Sequence, residues 1–452
     1  MKKIKDVVIV GGGSSGWLAA AYLSWNFKNL NITIIDKEIG TPVGVGEATI
    51  LNFAPFLSSC GFVKEEWFPE MDATEKLGIE FVNWIDKNKH VYHPFYNDQS
   101  TCKNYKEAML TRFNNLSNVA YHVNCGKLVL FIQKKLKDKV KFKKIDVSKV
   151  VHNDSGVEHL ILKNKQKIKA DLYIDCTGFN SILKDKTEKI MLRDRLICDT
   201  AVAGQIEYKD VKKEKVPYTR CEAVDEGWVW SIPVDSRIGS GFIFNRQITD
   251  IEDAKDFFVK HWDNRIRKEN LKTIDWTPYY DKKMWNKNVV SVGLSAGFIE
   301  PLESTGLMLA MEGIYSLCKR IYKHSFNEND QNYYNEHMKM FYENSVDFVS
   351  MHYLVSKRKG IFWEKGRQLK QSERFNLFVK YRSVEDATQT YMSKSIKLLD
   401  TLKKGKQFKI AINNTMSKTI NELGYNIKHQ LVNSWSTKTP PNTEGEYHVH
   451  NN

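Results

Sequence analysis

The stretch that most constrains this chain is DVVIVGGGSSGWL, Asp6 to Leu18. Val7 to Val10 form an uninterrupted apolar run, the pattern of a strand buried on both faces of a parallel sheet. Gly11, Gly13 and Gly16 follow in G-x-G-x-x-G spacing, and a helical pattern opens at Leu18. The first glycine permits the tight turn, the second lets a pyrophosphate approach the backbone, and the third lets helix and strand pack closely. The new helix offers unpaired N–H groups and the positive end of its dipole to the phosphates. A second apolar run, Ile32 to Ile35, ends in Asp36, twenty residues beyond Gly16. A carboxylate there can accept hydrogen bonds from an adenosine ribose. The pattern predicts a dinucleotide-binding βαβ unit at the N-terminus.

Further along, Thr41 to Ile50 (TPVGVGEATI) reads as a loop whose glycines bring backbone close to something flat or charged, or as a turn capped at Thr49. Lys76 stands in ATEKLGIEF, just before a strand-like segment; alone, such a lysine is an ordinary surface charge. His93 and Phe95, in VYHPF, suit either an aromatic-lined pocket or a core cluster. Val123 to Ile132 predicts an amphipathic helix. Val140 to Leu162 predicts a β-meander turning at Asn153–Gly156. Asp171 to Phe179 (DLYIDCTGF) predicts a buried strand ending in Thr177-Gly178. In Gly227 to Pro233 (GWVWSIP), Trp228 and Trp230 share one face of a strand. Val289 to Gly306 predicts a strand, a glycine turn at Gly293, a loop carrying Glu300 and Glu303, and a helix starting near Leu307. Amides at that helix start suit an anion. Helical periodicity then dominates.

Seven cysteines show no C-x-x-C or metal-like spacing, so no metal site is expected, and reduced thiols in a cytoplasmic protein are. The net charge of +14 is spread along the chain without a nucleic-acid motif, which argues for a lysine-rich solubilising surface and against nucleic-acid binding. No apolar run reaches the roughly 18 residues of a membrane span, and the N-terminus opens into the first strand without a leader pattern. A homo-oligomer is compatible with the sequence.

Taken together, GGGSSGW, GVGEAT, the Lys76 stretch, DCTGF, GWVWSIP and GFIEPLESTG resemble, in order, the motifs of flavin-dependent halogenases of the tryptophan-halogenase type. The resemblance runs from Asp6 to about Trp363. The W-x-W-x-I-P pattern, which separates such halogenases from flavin monooxygenases, is supplied by Trp228, Trp230, Ile232 and Pro233. The alternative is an aromatic monooxygenase on the same fold, and a non-catalytic FAD-binding protein is a third.

The resemblance implies an α/β fold: an FAD-binding box of the glutathione-reductase type with a mixed β-sheet over residues 1–325, and a mostly helical substrate-covering module over 326–452. It implies FAD supplied reduced, as FADH2, by a separate flavin reductase, since only one dinucleotide fingerprint is present, with halide and O2 as co-substrates. The oxidised halide, as hypohalous acid, would pass through a tunnel to Lys76 and on to an electron-rich aromatic substrate. Glu303 matches the glutamate that orients the oxidant or takes the ring proton, and Thr305 and Gly306 match halide-binding amides. Cofactor contacts are expected from Gly11, Gly13, Ser14, Ser15, Gly16, Asp36, Gly46, Glu47, Ala48, Thr49, Val147, Asp175, Gly178, Gly293, Leu294 and Leu307. The substrate pocket is expected at His93, Phe95, Phe362 and Trp363. Arg358 and Lys359 stand about where relatives carry an acid that grips free tryptophan's amino group, which argues against tryptophan itself.

Overall fold

A computed structural model describes residues 4–37, 47–95, 119–184, 188–322, 327–373 and 375–376. Asp6–Val10 lies inside a six-stranded sheet. Its order is Trp285–Asn286, Val289–Ser291, Leu172–Asp175, Asp6–Val10, Asn31–Asp36, Lys141–Lys144. Every neighbouring pair is parallel except the antiparallel edge at Trp285–Asn286. Alternate side chains of Asp6–Val10 enter different cores: Val7 and Ile9 join the main one, Val8 and Val10 a second. That is why the run is apolar throughout rather than alternating.

The helix Ser14–Asn26 covers one face and is buried continuously from Gly16 to Leu23, because the helices Cys125–Lys135 and Thr305–Tyr322 pack over it. The other face is covered by the antiparallel sheet Val147–Asn153, Gly156–Leu162 and Lys167–Ile168. A seven-stranded mixed sheet runs Lys272–Asp275, Thr200–Ile206, Ile238–Phe244, Gly227–Pro233, Thr219–Val224, Gly78–Val82, His90–Pro94. Only Thr219–Val224 and Gly78–Val82 pair in parallel there. A small antiparallel sheet joins Glu47–Ala48, Ala120–Val123 and Thr74–Lys76. The chain is therefore α/β, with mixed sheets and helices.

Two local expectations shift. The helix predicted from Val123 begins at Cys125: Val123 closes a strand, and the Asn124 side chain caps the helix by accepting from Gly126 N at 3.0 Å. Lys141–Lys144 leaves the predicted meander for the parallel sheet, where Phe142 pairs with Ile34. The predicted boundary at 325/326 falls in a stretch outside the described residues. Beyond it, the helix Glu328–Leu354 packs on Thr305–Tyr322, and its Tyr334, Met338 and Val346 belong to the same core as Val7.

Candidate active site

A cavity of about 450 Å³ opens at the C-terminal end of Asp6–Val10, between the two large sheets. It brings together Gly13, Ser14, Ser15, Glu47, Ala48, Gly178, Gly293, Leu294 and Leu307 of the predicted cofactor set with Trp228, Trp230 and Ile232. Gly11 and Gly16 shape it from behind. Gly11 has φ +108, and a Cβ there would lie 2.1 Å from Cys176 O; a Cβ on Gly16 would lie 2.0 Å from Gly11 O. Gly13 is the N-cap of the first helix and supplies no side chain to its free N–H groups, while the space beside it is open. An uncapped helix start facing a cavity accepts phosphate, so this cradle fits the pyrophosphate of FAD. Asp36 stands at the end of its strand and accepts from Gly12 N at 2.5 Å. Pro233, last of the tryptophan motif, accepts from Thr74 Oγ1 at 2.5 Å. Trp230 has room because residue 241 is glycine: a Cβ there would meet the indole at 2.0 Å.

Lys76 ends the strand Thr74–Lys76 and is fully buried. Its Nζ donates to Thr49 O at 2.9 Å and to Ser304 Oγ at 2.9 Å, and stands 5.0 Å from the centre of the Phe95 ring. Burial lowers its pKa from 10.5 to about 7, although the charge of Glu303 pulls it back up. A neutral, nucleophilic amine is thus accessible near pH 7. His122, nearby, is pushed well below its ordinary pKa by burial and by Lys76, and so adds no charge.

Glu303 and Ser304 hold left-handed backbone, with φ +64 and +61. Non-glycine residues keep that conformation only where the surroundings enforce it. The carboxylate is buried between two histidines: His93 Nδ1 lies 2.8 Å from Oε2, and His352 Nε2 lies 3.0 Å from Oε1. Burial alone would raise the pKa of Glu303, but the two histidines outweigh it and hold the group well below the usual carboxylate range. Thr305 begins the helix Thr305–Tyr322, and Gly306 lines the cavity with open space where a side chain would stand.

Several expected contacts lie elsewhere. Val147 packs at the start of the antiparallel sheet on the far side of the parallel one, opposite Leu162. Asp175 is buried and spends its oxygens on Thr177 and Leu183, shaping the turn before Gly178 rather than facing the cavity. The Thr49 side chain is tied to Tyr121, and only its carbonyl reaches Lys76. Phe362 and Trp363 are fully buried in an aromatic cluster with Trp84 and Tyr353, and the Trp363 N–H donates to Val224 O at 2.7 Å. They belong to the main core and do not line the cavity of about 450 Å³. Arg358 is bound to Asp225 at 2.8 Å on a separate surface groove, so it carries no argument about the substrate. Gly46 lies outside the described residues. Conversely, Ser304 as a partner of Lys76 and His352 as a partner of Glu303 carried no distinguishing signal in the sequence.

The sequence matches the tryptophan halogenase family over residues 6–112 and 97–396. It is similar to the tryptophan 6-halogenase ThaL of Streptomyces albogriseolus, at 28% identity over 444 residues, 86% of this chain and 82% of that protein. It is similar to the tryptophan 7-halogenase RebH of Lentzea aerocolonigenes, at 27% identity over 425 residues, 82% of this chain and 80% of that one. Among solved structures, the flavin-dependent halogenase Xcc4156 from Xanthomonas campestris superposes with a TM-score of 0.76 at 27% identity, over 84% of each chain.

Proposed function

This chain belongs to the tryptophan halogenase family, a family of flavin-dependent enzymes acting on aromatic substrates, and from that premise we propose that it is an FADH2- and O2-dependent halogenase that transfers the halogen through Lys76. The observation that carries this reading is the Lys76 amine itself: fully buried, able to lose its charge near pH 7, and fixed next to a loop that opens onto the cavity.

The six-stranded sheet and first helix act as an FAD box of the glutathione-reductase kind, with the C-terminal helices as its cap. The N–H groups at Ser14 and Ser15 take the pyrophosphate, Asp36 serves the ribose, and Trp228, Trp230 and Ile232 wall the flavin side of the cavity. Bound reduced FAD with O2 supplies the oxidising equivalent that turns halide into hypohalous acid. The amides of Thr305 and Gly306 hold the halide at the helix start. Lys76 Nζ, with its lone pair free above about pH 7, takes up the oxidant or hydrogen-bonds it. Glu303 stays ionised and accepts the proton that an attacked aromatic ring must lose. His93 and His352 keep that carboxylate from swinging away. Burial of both groups excludes bulk water, into which the oxidant would otherwise escape.

Electrons come from a separate flavin reductase. The test is reconstitution with a reductase, NADH, FAD and bromide or chloride against a panel of indoles and phenols, read by mass spectrometry. A halogen isotope pattern in a product supports the reading. A gain of one oxygen makes the protein a monooxygenase instead, and turnover without a reductase defeats the partner assignment. Halogenation of tryptophan alone would identify the substrate as the free amino acid.

A further inference from the structure

Glu300 and Glu303 lie three residues apart on the loop that leads into the helix Thr305–Tyr322, and their surroundings treat them oppositely. Ile299, Pro301 and Glu303 line the cavity, while Glu300 turns the other way and is fully buried. Consecutive residues of one helix grip both acids. His352 holds Glu303 at 3.0 Å, and the Tyr353 hydroxyl donates to Glu300 Oε1. Neighbours on a helix diverge by about 100°, which lets a single turn reach two sides of the loop. The Tyr353 oxygen in turn accepts from the Trp228 indole N–H at 3.1 Å, and Cys198 Sγ lies 3.2 Å from it. The first tryptophan of W-x-W-x-I-P is therefore wired, through Tyr353, to the loop carrying Glu303 and Ser304.

The chemistry of this chain calls for a neutral acid. Glu300 Oε2 is buried without a hydrogen-bond partner, and Tyr353 and Cys198, both uncharged, are the groups that face the carboxyl. An ionised carboxylate in such a place is costly. Burial raises its pKa to about 8, with the Tyr353 and Cys198 hydrogen bonds drawing it back only in part.

We propose that Trp228, Tyr353 and neutral Glu300 form a positioning chain that pins the loop so that Glu303 and Ser304 keep their left-handed backbone and meet His352 and Lys76. The proposal rests on the halogenase reading only for the turnover arm of its test. Lacking the hydroxyl, Tyr353→Phe breaks the link between Trp228 Nε1 and Glu300 Oε1 and leaves Cys198 as the polar group beside them, and Glu300→Ala removes the anchor. Both are expected to lower halogenated product per reduced flavin oxidised by about tenfold or more, the loss expected from stranding a buried hydrogen-bonding group. Glu300→Gln keeps an uncharged acceptor for Tyr353 and is expected to restore the yield to within about threefold of wild type.

Two readouts need no turnover. An infrared difference spectrum of the apoprotein at neutral pH is expected to show a protonated-carboxyl band that Glu300→Gln abolishes. Acetylation of Lys76, followed by peptide mapping, is expected to change several-fold in Tyr353→Phe, because Ser304 leaves the amine, and to stay as in wild type in Glu300→Gln. If Tyr353→Phe does not fold, Trp228→Phe tests the same chain from its other end. The proposal is overturned if Glu300→Gln is as impaired as Glu300→Ala, if no such band exists, or if the tyrosine and tryptophan variants keep wild-type yield and Lys76 reactivity. A wild-type protein that halogenates nothing would defeat the halogenase reading, and the infrared and labelling results would still decide this one.

Discussion

Lys76 Nζ stands 2.9 Å from Ser304 Oγ, across 228 residues of sequence, and the same nitrogen donates to Thr49 O at 2.9 Å. The amine is thus fixed by oxygens from two separate segments, and Glu303 influences it through charge rather than contact. Ser304→Ala removes one of these acceptors and leaves the amine buried. The expected cost is about 1–3 kcal/mol in positioning, read as a fall of roughly five- to 150-fold in halogenated product. Oxidation of reduced flavin should continue. Unchanged product formation by Ser304→Ala would show that Thr49 O alone orients the lysine.

Lys76→Ala separates the two stages of the proposed reaction more sharply. The pyrophosphate cradle at Gly13 to Ser15 is built by another part of the chain and does not touch Lys76. The variant is expected to bind FAD and oxidise reduced flavin at the wild-type rate while making no halogenated arene. Binding is checked by flavin fluorescence and product by mass spectrometry. Product at near wild-type level would eliminate the lysine route.

The same burial predicts a stability effect with a definite sign. The folded pKa of Lys76 is about 7 against 10.5 for the free group, so between those values the unfolded chain binds a proton that the folded chain does not. Stability from this group therefore rises with pH across that window, and its full penalty is felt below about pH 7. A tenfold difference in proton affinity between the folded and unfolded chain is worth about 1.4 kcal/mol, so the penalty is a few kcal/mol. Lys76→Met, close in shape and uncharged, should lose stability relative to wild type by a few kcal/mol between pH 6 and pH 9. The stranding of Thr49 O and Ser304 Oγ does not vary with pH and cancels in the comparison. Urea unfolding at the two pH values measures it, and an equal difference at both would refute the assignment.

The local geometry of the cofactor cradle was legible because it follows from short-range rules. An apolar run, spaced glycines and an acid at the next strand end are read within about thirty residues, and Gly11, Gly16 and Asp36 stand where those rules put them. The candidate catalytic pair, Lys76 and Glu303, was legible only through resemblance: nothing in ATEKLGIEF marks Lys76 as buried. The groups around the pair lay in stretches that the resemblance covers, but their pairing with Lys76, Glu303 and Glu300 was hidden. Ser304, His352 and Tyr353 act across 228, 49 and 53 residues of sequence, and a lone serine, histidine or tyrosine has no periodicity to reveal its partner. Phe362 and Trp363 were ambiguous for the complementary reason. A buried core and a substrate wall select the same aromatic residues, and only the structure shows Trp363 packed against Trp84, with ring centroids 5.3 Å apart.

Glu303 offers the test that bears most directly on proton transfer. His352 Nδ1 lies 2.8 Å from Phe348 O, which can only accept, so that nitrogen carries a hydrogen. At the other end of the ring His352 Nε2 lies 3.0 Å from Glu303 Oε1, and His93 Nδ1 lies 2.8 Å from Oε2. Two imidazoles thus converge on the two carboxylate oxygens, and the site is matched to a carboxylate. Glu303→Gln turns one oxygen into an NH2 group that faces an imidazole N–H, so the ring must present an unprotonated nitrogen there or the amide must turn away. The substitution also removes the proposed base for the ring proton. Halogen transfer is expected to slow by about 10² to 10⁴, the usual loss for an acid–base group, while reduced flavin is still consumed. The oxidant then has time to leak, and a β-diketone added as a trap should become halogenated in the variant more than in wild type. Near wild-type arene product with no rise in trapped halogen would show that the ring proton leaves to another acceptor and that Glu303 serves only to anchor its two histidines.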